Sequence, residues 1–423
     1  MPLRSILPAL VAATLSLPAV SLRAQETPVP APDPAGVELQ RFIRSLVLTN
    51  PDVQAARAAL EASGAMRDAA SRPLYNPELS AEVQRSADDP KTIGISQTLD
   101  WAGKRSARSD AAERERQVAE ARYTLAVWSV STDLLVGLAR YHTAAARQDL
   151  TARTERVVSE FESLAERRFQ AGDLNQVDLS LARLSATDAR IQRATRTGDL
   201  AAAQQEVRAL AVDSPPMAWP VLATPPSIDS PVSGFGSIAL VRSLPEVVAS
   251  QRRVDLAEAL VTVRRKDQRP DPTLSLVGGE EADESLIGLS ISIPLFVRNR
   301  FDNEVRAAMA QRNEAQFSSD ATVRRAQARL LSAHERYTLL YVAWDEWERA
   351  GQPSLELQTD QLGRLWQAGE LSTTDYLVQL RQTFEVQDNA LQLRLALWEG
   401  WFEWLRASGQ IDDWLSLGTR AAE

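Results

Sequence analysis

The strongest constraint on this chain is that it is written twice. Asn50-Pro51-Asp52-Val53 returns as Leu244-Pro245-Glu246-Val247, and Asn76-Pro77-Glu78-Leu79-Ser80 returns as Asp271-Pro272-Thr273-Leu274-Ser275. Ile93-Gly94-Ile95-Ser96 matches Ile287-Gly288-Leu289-Ser290. Arg168-Phe169-Gln170-Ala171-Gly172-Asp173-Leu174 matches Leu365-Trp366-Gln367-Ala368-Gly369-Glu370-Leu371. Four matches in one order, at a period of roughly 195 residues, predict two copies of one structural unit. The copies are expected over residues 36–211 and 235–408. Residues 212–234 between them carry Pro215, Pro216, Pro220, Pro225, Pro226 and Pro231. Proline offers no amide and fixes φ, so this run reads as an irregular linker. Residues 409–423 form a C-terminal tail.

Within each copy the pattern reads helix, strand, strand, very long helix, tight turn, long helix. Val323, Ala326, Leu330, Ala333, Tyr337, Leu340, Trp344 and Trp347 alternate three- and four-residue spacings. That is the apolar seam of a coiled coil. Val118, Ala121, Leu125, Trp128, Leu135 and Leu138 form a looser seam in the first copy. No proline falls between Ala102 and Ala211, nor between Leu295 and Gln352. Helix from Lys104 to Arg168 would reach on the order of 100 Å at ~1.5 Å per residue. Gly137 and Gly351-Gln352-Pro353 are the points where such a run could break into shorter helices.

Four segments alternate with period two, at about 78–85, 92–99, 273–280 and 285–293. Leu79, Ala81 and Val83 alternate with Ser80, Glu82 and Gln84, and Ile287, Leu289, Ile291 and Ile293 with Gly288, Ser290 and Ser292. Acidic turns at Ser86–Pro90 and Glu280–Glu284 make each pair a hairpin. Strands of about eight to ten residues match what a tilted strand needs to cross a bilayer, ~9–11 residues. They equally suit a small soluble sheet that caps the helices. Tyr75, Trp101 and Phe296 are the aromatic residues at the strand ends, where a membrane girdle would place them. Four strands cannot close a barrel, and open edges do not survive in hydrocarbon. A membrane location therefore demands several chains. Two chains would supply eight strands with a filled interior, and three would supply twelve with a lumen.

Composition narrows the function classes. The charges, 47 basic against 56 acidic for a net of −9, disfavour a nucleic-acid partner, which needs a basic face. With no cysteine, disulfides, thiolate chemistry and lipid attachment through Cys are excluded. The two histidines, His142 and His334, fall in helices at positions that the repeat does not equate, and no Gly-rich phosphate loop follows a strand. The chain is not expected to be an enzyme or to carry a cofactor or metal. The acidic hairpin Glu280, Glu281, Asp283, Glu284 reads as solvated. Residues 1–24, with Arg4, an apolar stretch from Ile6 to Val20 and small residues at Ala19, Ser21 and Ala24, read as a secretory signal. A flexible proline-rich segment, 25–35, follows.

Taken together, the doubled plan and the Ala-Gly-Asp/Glu-Leu turns resemble TolC-type outer-membrane efflux proteins. Ser96-Gln97-Thr98-Leu99-Asp100-Trp101-Ala102-Gly103-Lys104-Arg105 and Ser292-Ile293-Pro294-Leu295-Phe296-Val297-Arg298-Asn299-Arg300 look like strand-to-helix junctions of the CzcC-like branch, which serves heavy-metal efflux. The resemblance implies a mainly α fold with a small β part. It implies a homotrimer, with a twelve-stranded barrel in outer-membrane lipid continued by a periplasmic α-helical tunnel. The implied partners are a periplasmic adaptor and an inner-membrane pump of the resistance-nodulation-division class. Adaptors dock near the turns in that family, which puts Arg168, Gly172, Arg364 and Gly369 forward; the arginines also suit a helix C-terminus electrostatically. Some relatives narrow the tunnel with an acidic ring past the second turn. Asp375 matches one such position and Asp178 is its counterpart, while the companion position carries Val378. Both aspartates equally suit the first turn of a helix. Metal ions, drugs or a polypeptide remain open as cargo, and a soluble periplasmic coiled-coil scaffold remains the reading of a different class.

Overall fold

The computed structural model describes residues 32–85, 90–211, 215, 219–228, 236–281, 284–368 and 370–418. The expected signal (1–24), residues 25–31, the tips of both hairpins, parts of the proline-rich linker, Gly369 and residues 419–423 lie outside them.

Two pairs of short helices open the two halves, and in each pair a proline starts the second helix. Helix α1 (Val37–Thr49) runs into α2 (Pro51–Ala70) across Asn50, whose side chain accepts a bond from the Asp52 amide at 2.9 Å. Helix α5 (Gly236–Ser243) runs into α6 (Pro245–Asp267) across Leu244. Proline is preorganised for a first helical position, where its missing N–H costs nothing.

Strands β1 (Glu78–Val83) and β2 (Lys91–Thr98) follow α2, and β3 (Thr273–Glu281) and β4 (Glu284–Ser292) follow α6. They form one antiparallel sheet in the order β1-β2-β3-β4. The hairpins join through β2 and β3, with Ile95 opposite Leu276 and Ser96 opposite Ser275. Strands β1 and β4 are left as the two edges.

Helix α3 (Lys104–Gln170) runs unbroken for 67 residues through Gly137, about 100 Å at ~1.5 Å per residue. Its antiparallel partner is α4 (Gln176–Leu210). In the second half α7 (Asp302–Glu346) passes through a π turn (Trp347–Gly351) into α8 (Gln352–Gln367), which turns into α9 (Thr373–Ala407). At Gly351-Gln352-Pro353, where the run could have broken, the helix changes its winding and continues. Pro353 has no N–H for the carbonyl four residues back, and the Trp347 ring lies so close that any side chain at residue 351 would strike it.

Two apolar clusters hold the helices. The larger gathers Ile43, Leu134, Leu135, Leu138, Leu330, Tyr337, Leu397, Trp401, Phe402 and Leu405 from α1, α3, α7 and α9. Of the predicted seam, Ala326, Leu330, Ala333, Tyr337 and Trp344 are buried here, and Val323, Leu340 and Trp347 pack against it. The segment after residue 408 does not trail away. It forms α10 (Ile411–Leu415), buries Ile411, Trp414 and Leu415, and takes the Ala35 amide on the Trp414 carbonyl at 2.9 Å. The smaller cluster lies near the far turns.

Candidate functional site

Three levels of the molecule bear on function: the sheet, its junction with the helices, and the distant helical turns. At the sheet, registration sorts the alternating residues into rows. Leu79, Ile95, Leu276 and Leu289 lie side by side across all four strands, and Ala81, Ile93, Gly278 and Ile287 form the next row on that face. The opposite face has Ser96, Ser275 and Ser290 in one row and Thr98, Thr273 and Ser292 in another. Leu79, Ile93, Ile95, Leu276, Ile287, Leu289 and Ile291 are all exposed. An apolar sheet face this size with nothing folded onto it marks contact with a partner or with lipid.

Below the sheet, residues from both halves lock the strands to the helices. Asp100 accepts the amides of Lys104 at 2.7 Å and Arg105 at 2.8 Å, capping α3. Partial burial works against its charge, yet amides of Arg105, Lys104 and Gly103 hold its carboxyl below the ordinary value. Lys104, only 8% exposed, pairs with Asp271 at 2.9 Å. The Tyr75 hydroxyl donates to the same carboxylate at 2.7 Å, and that bond pushes the phenol up to about 12. Trp101 Nε1 donates to the Pro270 carbonyl and Lys266 Nζ to the Ala102 carbonyl, each at 2.8 Å. The junction motif pointed here through its sequence pattern. Its buried ion pair was not visible, because the partners are distant in the chain and belong to different halves.

At the far end, Gly172 takes φ of +83°, a conformation that costs glycine little. The Asp173 amide closes the turn on the Arg168 carbonyl at 2.9 Å, and the Glu370 amide does the same on Leu365 at 3.0 Å. Both are the six-to-one bond of a Schellman turn. Asn175 caps α4 by accepting the Asp178 amide at 2.9 Å, and its own amide donates to the Asp178 carboxylate at 2.8 Å. Ser372 accepts the Asp375 amide at 3.1 Å and donates to its carboxylate at 2.6 Å. Each candidate aspartate thus sits in a first helical turn, engaged with its own capping residue, Asp375 exposed and Asp178 half-buried. The Arg168 guanidinium lies 5.2 Å from the centre of the Trp366 ring, which joins the two turns. Trp366 stacks on Tyr376 at 4.9 Å and tilts against Phe161 at 5.0 Å. Arg364 is exposed on α8, while Gly369 lies outside the described residues.

Midway between, sequence reasoning missed a three-helix ionic lock. Arg147 of α3 grips Asp388 of α9 with two bonds of 2.6 Å, and Arg196 of α4 lies 3.7 Å from the same carboxylate. Burial alone would raise the Asp388 pKa, but the bonds and charge of Arg147 outweigh it and hold the carboxyl below its ordinary range. A depressed folded pKa adds stability above the unfolded carboxylate value, and that stability is lost as pH falls through the folded value. Acid melting is accordingly expected to weaken the helical body below about pH 4. Asp388→Asn is expected to lower the melting temperature at pH 7 and to flatten its dependence on acid. An unchanged acid profile in that variant would remove Asp388 from this role.

The histidines stand apart. His142 Nε2 meets the Pro220 carbonyl at 2.9 Å, with burial lowering its pKa, and His334 lies edge-on to Trp404 at 5.3 Å. Among the described residues no group of three or more His, Asp or Glu is placed to hold a metal ion, and no helix is long and apolar enough to cross a membrane.

Residues 42–211 match the family described as Outer membrane efflux protein. Over 255 residues the chain is 29% identical to the cobalt-zinc-cadmium resistance protein CzcC of Cupriavidus metallidurans, a match that covers 58% of this chain and 60% of that protein. It is 26% identical over 339 residues to the nickel-cobalt-cadmium resistance protein NccC of Alcaligenes xylosoxydans xylosoxydans, covering 77% of this chain and 74% of the relative. Among solved structures, the Campylobacter jejuni CmeC outer membrane channel superposes with a TM-score of 0.76 at 16% identity, over 97% of this chain and 94% of that one. That likeness is one of fold.

Proposed function

We infer that this chain, an outer membrane efflux protein of the TolC type, is the outer-membrane channel subunit of a tripartite exporter for divalent metal cations. The observation that carries the reading is the sheet: apolar rows on one exposed face, hydroxyl rows on the other, and two unpaired edges. Backbone amides at an edge have no partner in hydrocarbon, so sister copies must supply the missing strands. Three copies of an internally duplicated chain give a twelve-stranded barrel whose hydroxyl-lined face encloses water. The helices, about 100 Å long, then continue that passage into the periplasm.

The chain contributes conduction and docking. A periplasmic adaptor engages the turns around Arg168, Gly172, Arg364 and Gly369, and a resistance-nodulation-division pump in the inner membrane delivers the cargo. Metal cations are favoured over drugs or polypeptides by the two relatives, whose names state resistance to cobalt, zinc, cadmium and nickel. Asp375, repeated around a threefold axis near the second turn, gathers negative charge at the tunnel end and narrows it, with Asp178 beside it. Asp375→Asn is expected to raise single-channel conductance several-fold, and equal conductance would remove Asp375 from the gate. The functional test is deletion of the gene followed by growth on cobalt, zinc and cadmium. Heightened sensitivity to those metals alone supports the reading; unchanged metal tolerance with heightened antibiotic sensitivity reassigns the cargo.

A further inference from the structure

Where α7 winds through its π turn into α8, these helices, α3, α9 and the linker between the repeats surround a cavity of about 350 Å³. That volume lies in the range of small-molecule sites, ~300–1,000 Å³. Trp344, Glu348 and Gln352 come at four-residue intervals along the π-wound stretch and all line the cavity. A π turn inside a helix often accompanies a functional site. The buried rings of Trp344 and Trp398, with Leu222 of the linker, give apolar walls. Glu348 and Gln352 are exposed and stand at the mouth.

The charge in this cavity is positive and unanswered. Arg394 of α9 lines it and is half-buried. Burial pushes its pKa down, and among the described residues no carboxylate is near enough to offset that. Arg140 and Arg147, which flank His142 along α3, each pair with acids on other helices. His142 adds no charge. The Pro220 carbonyl can only accept, so Nε2 carries the ring proton, and burial together with the charge of Arg394 keeps the pKa of the ring low. A half-buried cation is costly until an anion meets it. One guanidinium suits one carboxylate, which it can grip with two parallel bonds. A dianion would have a single cation for its two charges and Glu348 at the entrance. Tryptophan walls favour a flat apolar body behind the charge.

We propose that this cavity binds a small aromatic monocarboxylate, with its carboxylate on Arg394 and its ring against Trp344 and Trp398. The site needs neither the barrel nor sister copies, so its failure leaves the channel reading standing. Benzoate is the test compound, titrated by calorimetry into the full-length protein in detergent. One site per chain is expected. Benzyl alcohol, which keeps the ring and lacks the charge, is expected to bind about ten-fold more weakly or worse, and inorganic phosphate likewise. Arg394→Met is expected to weaken benzoate by a similar factor. Absence of benzoate binding overturns the proposal, as does benzyl alcohol or phosphate binding equally well. Benzoate binding that survives Arg394→Met also overturns it. Should that variant not fold, the comparison of acid with alcohol in the unaltered protein decides alone.

Discussion

Asp271→Ala is expected to destabilise the protein by about 3–5 kcal/mol, more than other single changes at the junction. The substitution leaves Lys104 buried without its counter-charge and takes from the Tyr75 hydroxyl the acceptor that it meets at 2.7 Å. Asp271 is 6% exposed, so water does not easily replace the lost contact. Breaking a buried pair from one side is costly because the stranded charge still bears its desolvation. Replacing both partners is a different experiment. Lys104→Met/Asp271→Leu removes both charges at similar volume and is expected to recover most of the loss. Thermal unfolding of the three proteins in detergent checks this; a double variant as unstable as Asp271→Ala would show that the shape of the junction matters more than its charge.

The second large effect concerns the sheet. Ile95 sits mid-strand in the apolar row between Leu79 and Leu276, and the next residue, Ser96, sits in the serine row with Ser275 on the other face. If the apolar face meets lipid, Ile95→Arg places a charge near the bilayer midplane at a cost of ~2–4 kcal/mol. Ser96→Arg points the same side chain into water and is expected to change stability little while altering conductance. Band shifts on unheated gels and the yield in outer membranes check the pair. Equal tolerance of both arginines would mean that the two faces see the same solvent.

Much of this architecture was legible because it rests on local periodicity. The alternation in Leu79, Ala81 and Val83 is all a strand needs to declare two faces, and the seam through Leu330 and Tyr337 declares a helix that buries one side. Asn50-Pro51 and Leu244-Pro245 were legible as a repeat, and in the structure each of these prolines opens a helix. The turn at Gly172 was legible because a positive φ favours glycine. Long-range chemistry was not legible. Nothing near Arg147 in sequence names Asp388, and nothing near Lys104 names Asp271, since these partners meet only after the halves pack. The winding of α7 into α8 was hidden for a related reason. Pro353 reads as a break on local grounds, while packing against α9 and the larger core carries the helix through it as a π turn. The site candidates divide in the same way: Asp178 and Asp375 have a complete local account as capped first-turn acids, and a gating role adds what three converging copies would do to them.

The central claim is that the β1 and β4 edges are satisfied by sister chains within lipid. Native mass measurement of the protein extracted from outer membranes in detergent tests it most directly. A species of three chains, absent from the soluble periplasmic fraction, is the predicted result. A single chain released by osmotic shock without detergent would contradict it.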